Sequence, residues 1–127
     1  MYQLKVESTF SAAHAVRFSN GCAEPLHGHN WRLTVCVAKE TLNECAMVVD
    51  FEELKKLTDG LVISKLDHAN LNDIPAFKGN ATCEAVAKWI YDELESPLKK
   101  LGVGIKLESV TLREARDCCV TYSTKNN

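Results

Sequence analysis

The stretch His27-Gly28-His29-Asn30-Trp31-Arg32-Leu33-Thr34-Val35-Cys36-Val37 decides the fold class. Trp31, Leu33, Val35 and Val37 fall on one parity and Arg32, Thr34 and Cys36 on the other, the period of two expected of a half-buried strand. His27 and His29 share the apolar parity, so both imidazoles face inward if the strand reaches back to them. Upstream, Tyr2, Leu4, Val6 and Phe10 alternate with Gln3, Lys5, Glu7 and Thr9, which makes a first strand. Between the two strands, Phe18 to Leu26 holds Asn20, Gly21 and Pro25 and reads as a loop.

Downstream the period changes. Asp50 precedes Phe51-Glu52-Glu53, a capping pattern that starts a helix. Phe51, Leu54, Leu57, Leu61 and Leu66 continue it, with Gly60 weakening its middle. Asp67 to Asn80 is rich in Asn, Asp, Gly and Pro and reads as a loop. Thr82 is the expected N-cap of a second helix, Glu84 suits its first turn, and Val86, Trp89, Ile90 and Leu94 form its inner stripe until Pro97 ends or kinks it. Ile105 to Arg113 and Cys118 to Ser123 are two further strands, turning at Ala115-Arg116-Asp117. The order ββααββ predicts an α+β domain over 1–127, a four-stranded antiparallel sheet with two helices on one face. Such a sheet leaves two bare edges, which makes oligomerisation through them the natural expectation.

Composition narrows the classes. The chain has 127 residues, 46% hydrophobic and 25% charged, which excludes a disordered chain and points to one domain. No apolar run is long enough for a membrane span. The opening MYQLKVESTF lacks the pattern of a secretory signal, so a cytoplasmic protein is expected. A net charge of −2 without a basic stripe gives no support to nucleic-acid binding. Six cysteines without a CxxC pair read as reduced thiols.

The chemistry concentrates in the histidines. His27 and His29 at i and i+2 on a strand can grip one metal ion, and His14, just past the first strand, offers a third imidazole. Three imidazoles suit Zn2+ and leave a fourth position open, as catalytic sites require. Cys22 and Glu24, in the loop before His27, are both candidate bases. Asp67 beside His68 could tune a proton relay, although neighbouring side chains seldom face each other, so their partners are expected elsewhere. Glu114 ends the third strand, where a carboxylate could accept two N–H bonds from a heterocycle edge.

With FSAAH (10–14), LHGHN (26–30), VVDFEELK (48–55), LDHANLND (66–73), NATCEAVAKWIYDEL (80–94) and TLRE (111–114), the chain resembles the 6-pyruvoyltetrahydropterin synthase / 6-carboxytetrahydropterin synthase family. The resemblance implies the tunnelling fold, whose sheets join into a barrel of trimers stacked as a homohexamer. It implies zinc at His14, His27 and His29, and a pterin held by Glu114 with help from the region of Thr82 and Glu84. It also implies a relay of Asp67 and His68 with a catalytic cysteine, and no organic cofactor. The implied substrate is 7,8-dihydroneopterin triphosphate, and Arg17, Lys78 and Arg116 are candidates for its phosphates by charge alone. The chain departs from the pattern between Cys22 and His27. Carboxy-forming members use a spacing one residue shorter and pyruvoyl-forming members one residue longer. Glu24 matches a third subgroup that forms 6-hydroxymethyl-dihydropterin for folate synthesis. The product favoured at this level is 6-carboxy-5,6,7,8-tetrahydropterin, on the queuosine route, with hydroxymethyl and then pyruvoyl formation as alternatives. A non-catalytic zinc- and pterin-binding oligomer is the reading from another class.

Overall fold

A computed structural model describes residues 1–124 of the chain, so residues 125–127 of the expected domain lie outside it. Strands β1 (Tyr2–His14) and β2 (His27–Lys39) form a long antiparallel pair. Helix α1 (Phe51–Thr58) runs through a π-type turn at Asp59–Ile63 into a last helical turn, α2 (Ser64–Leu66). A short strand β3 (Ala69–Asn70) and two single 3₁₀ turns lead to helix α3 (Cys83–Leu98). The chain closes with β4 (Lys106–Ala115) and β5 (Cys118–Tyr122). The sheet order is β3-β1-β2-β4-β5.

The α+β layout with helices on one face agrees with the sequence, and three details correct it. The sheet has five strands rather than four, because two residues of the expected 67–80 loop pair with β1 in parallel, Ala12 with Ala69 and Ala13 with Asn70. β1 also runs on to His14 instead of stopping near Phe10. Phe10, Ala12 and His14 stay on the buried parity, so extending the strand continues the burial. Lastly, the Gly60 weakness appears as the π-type turn, where Asp59 accepts a hydrogen bond from the buried Ser8 hydroxyl.

The caps form as read. Asp50 accepts from the Glu52 N–H at 2.8 Å, and the Thr82 hydroxyl accepts from the Ala85 N–H at 3.0 Å. Pro97 falls in the last turn of α3, which ends one residue later. Between helices and sheet lies one core, in which Trp31, Leu33, Val35, Val110 and Leu112 of the strands meet Leu54, Val62, Val86, Ile90 and Leu94 of the helices. Each such side chain contributes about 1.5–3 kcal/mol by leaving water. The core is complete without the histidines, which sit at one end of the sheet beyond Trp31.

Candidate metal centre and catalytic site

Strand register builds the centre. His14 and His27 are direct partners across β1 and β2, and Ala12 pairs with His29, so three imidazoles on two strands emerge on the same face. Their rings stand edge to face with centroids 4.8, 4.8 and 5.2 Å apart. One ligand nitrogen from each lies within 4.8 Å of the others. Trp31 forms the floor, its ring 4.8 Å from that of His14 and its indole N–H donating to the Ala12 carbonyl.

Hydrogen bonds at the far side of two rings fix their tautomers. His14 Nδ1 donates to the Ala81 carbonyl at 2.7 Å, and His27 Nδ1 to the Pro25 carbonyl at 2.8 Å. Each Nε2 then presents its lone pair to the shared space, the second-layer arrangement typical of metal-bound histidine. The Nε2 atoms of His14 and His29 are buried without a hydrogen-bond partner among the described residues. Unpaired buried nitrogens are costly, and two pointing into one space fit a cation. Burial, the largest influence, holds the His29 pKa below its ordinary value, with His14 and His27 acting in the same sense and Glu114 opposing. The neutral form that ligates a metal is thereby favoured. The residues present therefore fit a metal ion.

Two carboxylates border the triad. Glu114 Oε1 is 3.5 Å from His14 Nε2 and its Oε2 is 3.8 Å from His29 Nε2. A register shift between Arg113 and Ala115 leaves Glu114 outside the β4–β5 pairing, and such a bulge turns a side chain away from its regular direction. Glu24 Oε1 accepts the Val16 N–H at 2.9 Å and stands 3.9 Å from His27 Nε2. The Glu24 N–H in turn donates to the Val16 carbonyl, so backbone and side chain of Glu24 are both tied to Val16. Cys22 is different. It is exposed in a tight turn, its N–H donates to Asn20, and its thiol makes no hydrogen bond among the described residues.

Asp67 and His68 do face each other, contrary to the sequence expectation. His68 Nδ1 is 3.0 Å from Asp67 Oδ2, because His68 adopts a left-handed backbone with φ of 62°. The pair is pinned to the outer edge of β1, where Ser11 N–H donates to Asp67 Oδ1 and the His68 N–H donates to the Ser11 carbonyl. The bond from Ser11, above all, holds the Asp67 carboxyl below its usual range. The His68 side chain is 83% exposed, and no hydrogen bond or ion pair joins it to the triad among the described residues. Thr82 spends its hydroxyl on capping α3, and Glu84 is exposed beside it. Between them Cys83 is half-buried, and its burial, then the Glu114 and Glu84 carboxylates, push its thiol up to about 12. That thiol is inert at neutral pH. Arg17 and Lys78 lie on the two segments beside His14, whereas Arg116 lines a different cleft with Arg32 and Arg113.

Two asparagines with no motif of their own in the sequence hold this site together. Asn72 accepts from the Ala15 N–H and donates to the carbonyls of Ala15 and Gly79 at 2.8–2.9 Å. Asn80 accepts from the Arg17 N–H at 2.9 Å and donates to its carbonyl at 3.3 Å. Together they stitch the segment after His14 to the one before Ala81, as a strand partner would. Their richness in a loop was visible, but their partners are 57 and 63 residues away in sequence, beyond any local pattern.

Comparison with known proteins places this geometry among relatives. The family described as 6-pyruvoyl tetrahydropterin synthase matches residues 3–125. A Synechocystis protein named 6-carboxy-5,6,7,8-tetrahydropterin synthase is 40% identical over 99 residues, 75% of this chain and 76% of its own. A Pyrococcus furiosus protein named dihydroneopterin monophosphate aldolase is 39% identical over 110 residues, 87% of each chain. The solved Caenorhabditis elegans 6-pyruvoyl tetrahydropterin synthase superposes with a TM-score of 0.76 at 28% identity, covering 98% of this chain and 96% of that one.

Proposed function

The chain belongs to the 6-pyruvoyl tetrahydropterin synthase family, whose members are lyases, and on that premise we propose that it is a zinc-dependent carbon–carbon lyase acting on a phosphorylated dihydroneopterin, with Glu24 as the base. The carrying observation is the Glu24 carboxylate, 3.9 Å from His27 Nε2 and held by the Val16 N–H, while the Cys22 thiol is exposed. His14, His27 and His29 would hold the zinc, which supplies Lewis acidity to the hydroxyl-bearing side chain when bound. Glu24 takes the proton of the second side-chain hydroxyl, the bond between the first and second side-chain carbons breaks, and its electron pair moves into the ring C=N. A proton returned to the first carbon leaves 6-hydroxymethyl-7,8-dihydropterin and a phosphorylated two-carbon aldehyde. Glu114 accepts N–H bonds from the pterin edge, with Thr82 and Glu84 flanking it. The name of the Pyrococcus furiosus relative supports this class of cleavage.

Formation of 6-carboxytetrahydropterin from dihydroneopterin triphosphate is the second reading. The names of the Synechocystis and Bacillus subtilis relatives favour it, and Cys22, relayed through Asp67 and His68, would then be the base. The exposed His68, β5 at one end of the sheet and the outer edge of β1, which β3 covers only at Ala12 and Ala13, also suit an assembly, expected to be a hexamer, in which a second copy completes the site. Light scattering that gave a stable monomer at micromolar concentration would refute the assembly. The chemistry is tested by paired substitutions. General-base removal costs about 10²–10⁴ in turnover, so Glu24→Ala should lose that much and Cys22→Ala far less. The reverse pattern rejects Glu24 as base and supports the second reading.

A further inference from the structure

The helix-free face of the sheet carries a cleft of about 470 Å³, lined by Glu7, Arg32, Thr34, Thr111, Arg113 and Arg116. The chain has only four arginines, and three of them are here. Arg32 and Arg113 are direct partners across β2 and β4, with Thr34 and Thr111 the next pair along on the same face. Like charges placed opposite one another across a sheet work against stability. Among the described residues, Glu7 is the one carboxylate lining the cleft, and its ion pair is with Arg32 at 4.0 Å. Three guanidinium charges against that one carboxylate leave +2, on a chain whose net charge is −2.

The arginines are also arranged. Arg113 Nη1 donates to the Arg116 carbonyl at 3.1 Å, which steadies its planar fork toward the β4–β5 turn. The Thr111 hydroxyl shares a 2.8 Å bond with Thr121, and Thr34 supplies another hydroxyl on the same wall. No lysine lines the cleft among the described residues. Rigid forks and hydroxyls recognise phosphate oxygens, whereas a merely soluble surface would be served as well by lysine. We propose that this cleft binds a phosphate-bearing small anion at a site separate from the histidine centre. The separation follows from strand parity. Trp31, Leu33 and Leu112, like the triad, point to the helix side, and Arg32, Thr34, Thr111 and Arg113 point away from it. A dianionic phosphate balances the cleft's charge of +2, a pyrophosphate more than offsets it and gains the larger attraction, and a single carboxylate falls short.

Titration of the whole protein with orthophosphate and with pyrophosphate, by calorimetry at low ionic strength, tests the proposal without requiring turnover. Saturable binding is expected, tighter for pyrophosphate, and Arg32→Gln or Arg113→Gln should each weaken it by about tenfold or more, as loss of a charge-assisted donor does. Lys56→Gln, an exposed charge on α1, should change nothing, and KM for the pterin substrate should hold in both arginine variants. Equal weakening by Lys56→Gln would overturn the proposal in favour of diffuse screening. Binding untouched by the arginine substitutions would place the anion elsewhere and overturn it too. Acetate binding as tightly as orthophosphate would refute the phosphate class, and a raised KM in the arginine variants would refute the site's independence.

Discussion

Asn72→Ala probes the scaffold of the histidine centre most sharply. It deletes three hydrogen bonds at 2.8–2.9 Å, to the Ala15 N–H, the Ala15 carbonyl and the Gly79 carbonyl. At about 0.5–1.5 kcal/mol each the sum is roughly 1.5–4.5 kcal/mol. Asn72 is half-buried, so water reaches some of the freed groups, and a loss of about 2 kcal/mol is expected. For a chain of this length that is a fall of roughly 6–10 °C in melting temperature, measured at one protein concentration so that assembly does not blur it. Ala15 follows His14 directly, so the variant should also bind its metal about 10–100-fold more weakly, as outer-layer changes do. Asn72→Asp, which keeps the acceptor for Ala15 but loses both donors, should recover little. Stability within about 0.5 kcal/mol of the parent, together with unchanged metal affinity, would refute the stitching role.

His27→Ala should lose most of its metal by elemental analysis yet keep its circular dichroism and melting curve near the parent's, because the His27 side chain is about a third exposed and lies outside the core. Full metal content in that variant would contradict the triad. The thiol pKa of Cys83, raised from 9.0 to about 12, leaves about a thousandfold less thiolate, so iodoacetamide at pH 8 should label Cys45 and Cys22 well before Cys83 in peptide mass spectra. Equal rates would show that Cys83 is not shielded. Asp67 has a folded-state pKa below its ordinary value, so its contribution to stability is complete above the unfolded carboxylate's pKa and disappears as pH falls through the lower, folded one. Urea midpoints of the parent and Asp67→Asn should accordingly differ at pH 7 and converge in strong acid, and a gap that widened in acid would reverse the sign.

Periodicity made most of this fold readable. The alternation from Trp31 to Val37 and the caps at Asp50 and Thr82 are local signals, and each was matched by a strand or a helix start. The strand parity of His27 and His29 carried the histidine cluster with it. What local pattern cannot carry is register and side-chain reach. The β1–β2 pairing that sets His14 opposite His27 spans a 12-residue loop. The parallel β3 is two residues long and exists because Ala69 and Asn70 find β1, not through any propensity of their own. The Asp67–His68 contact needed a left-handed histidine, a conformation in which histidine is enriched but which no neighbouring sequence pattern marks at His68. The bulge that frees Glu114 and the paired asparagines at 72 and 80 are likewise tertiary facts.

The most direct test of the account is the identity of the pterin product. Zinc-loaded protein incubated with dihydroneopterin monophosphate, and separately with the triphosphate, can be read by mass spectrometry of the pterin fraction. The expected products are 6-hydroxymethyl-7,8-dihydropterin and a phosphorylated two-carbon aldehyde, both lost in Glu24→Ala. Accumulation of 6-carboxytetrahydropterin from the triphosphate, undiminished in Glu24→Ala, would contradict this reading.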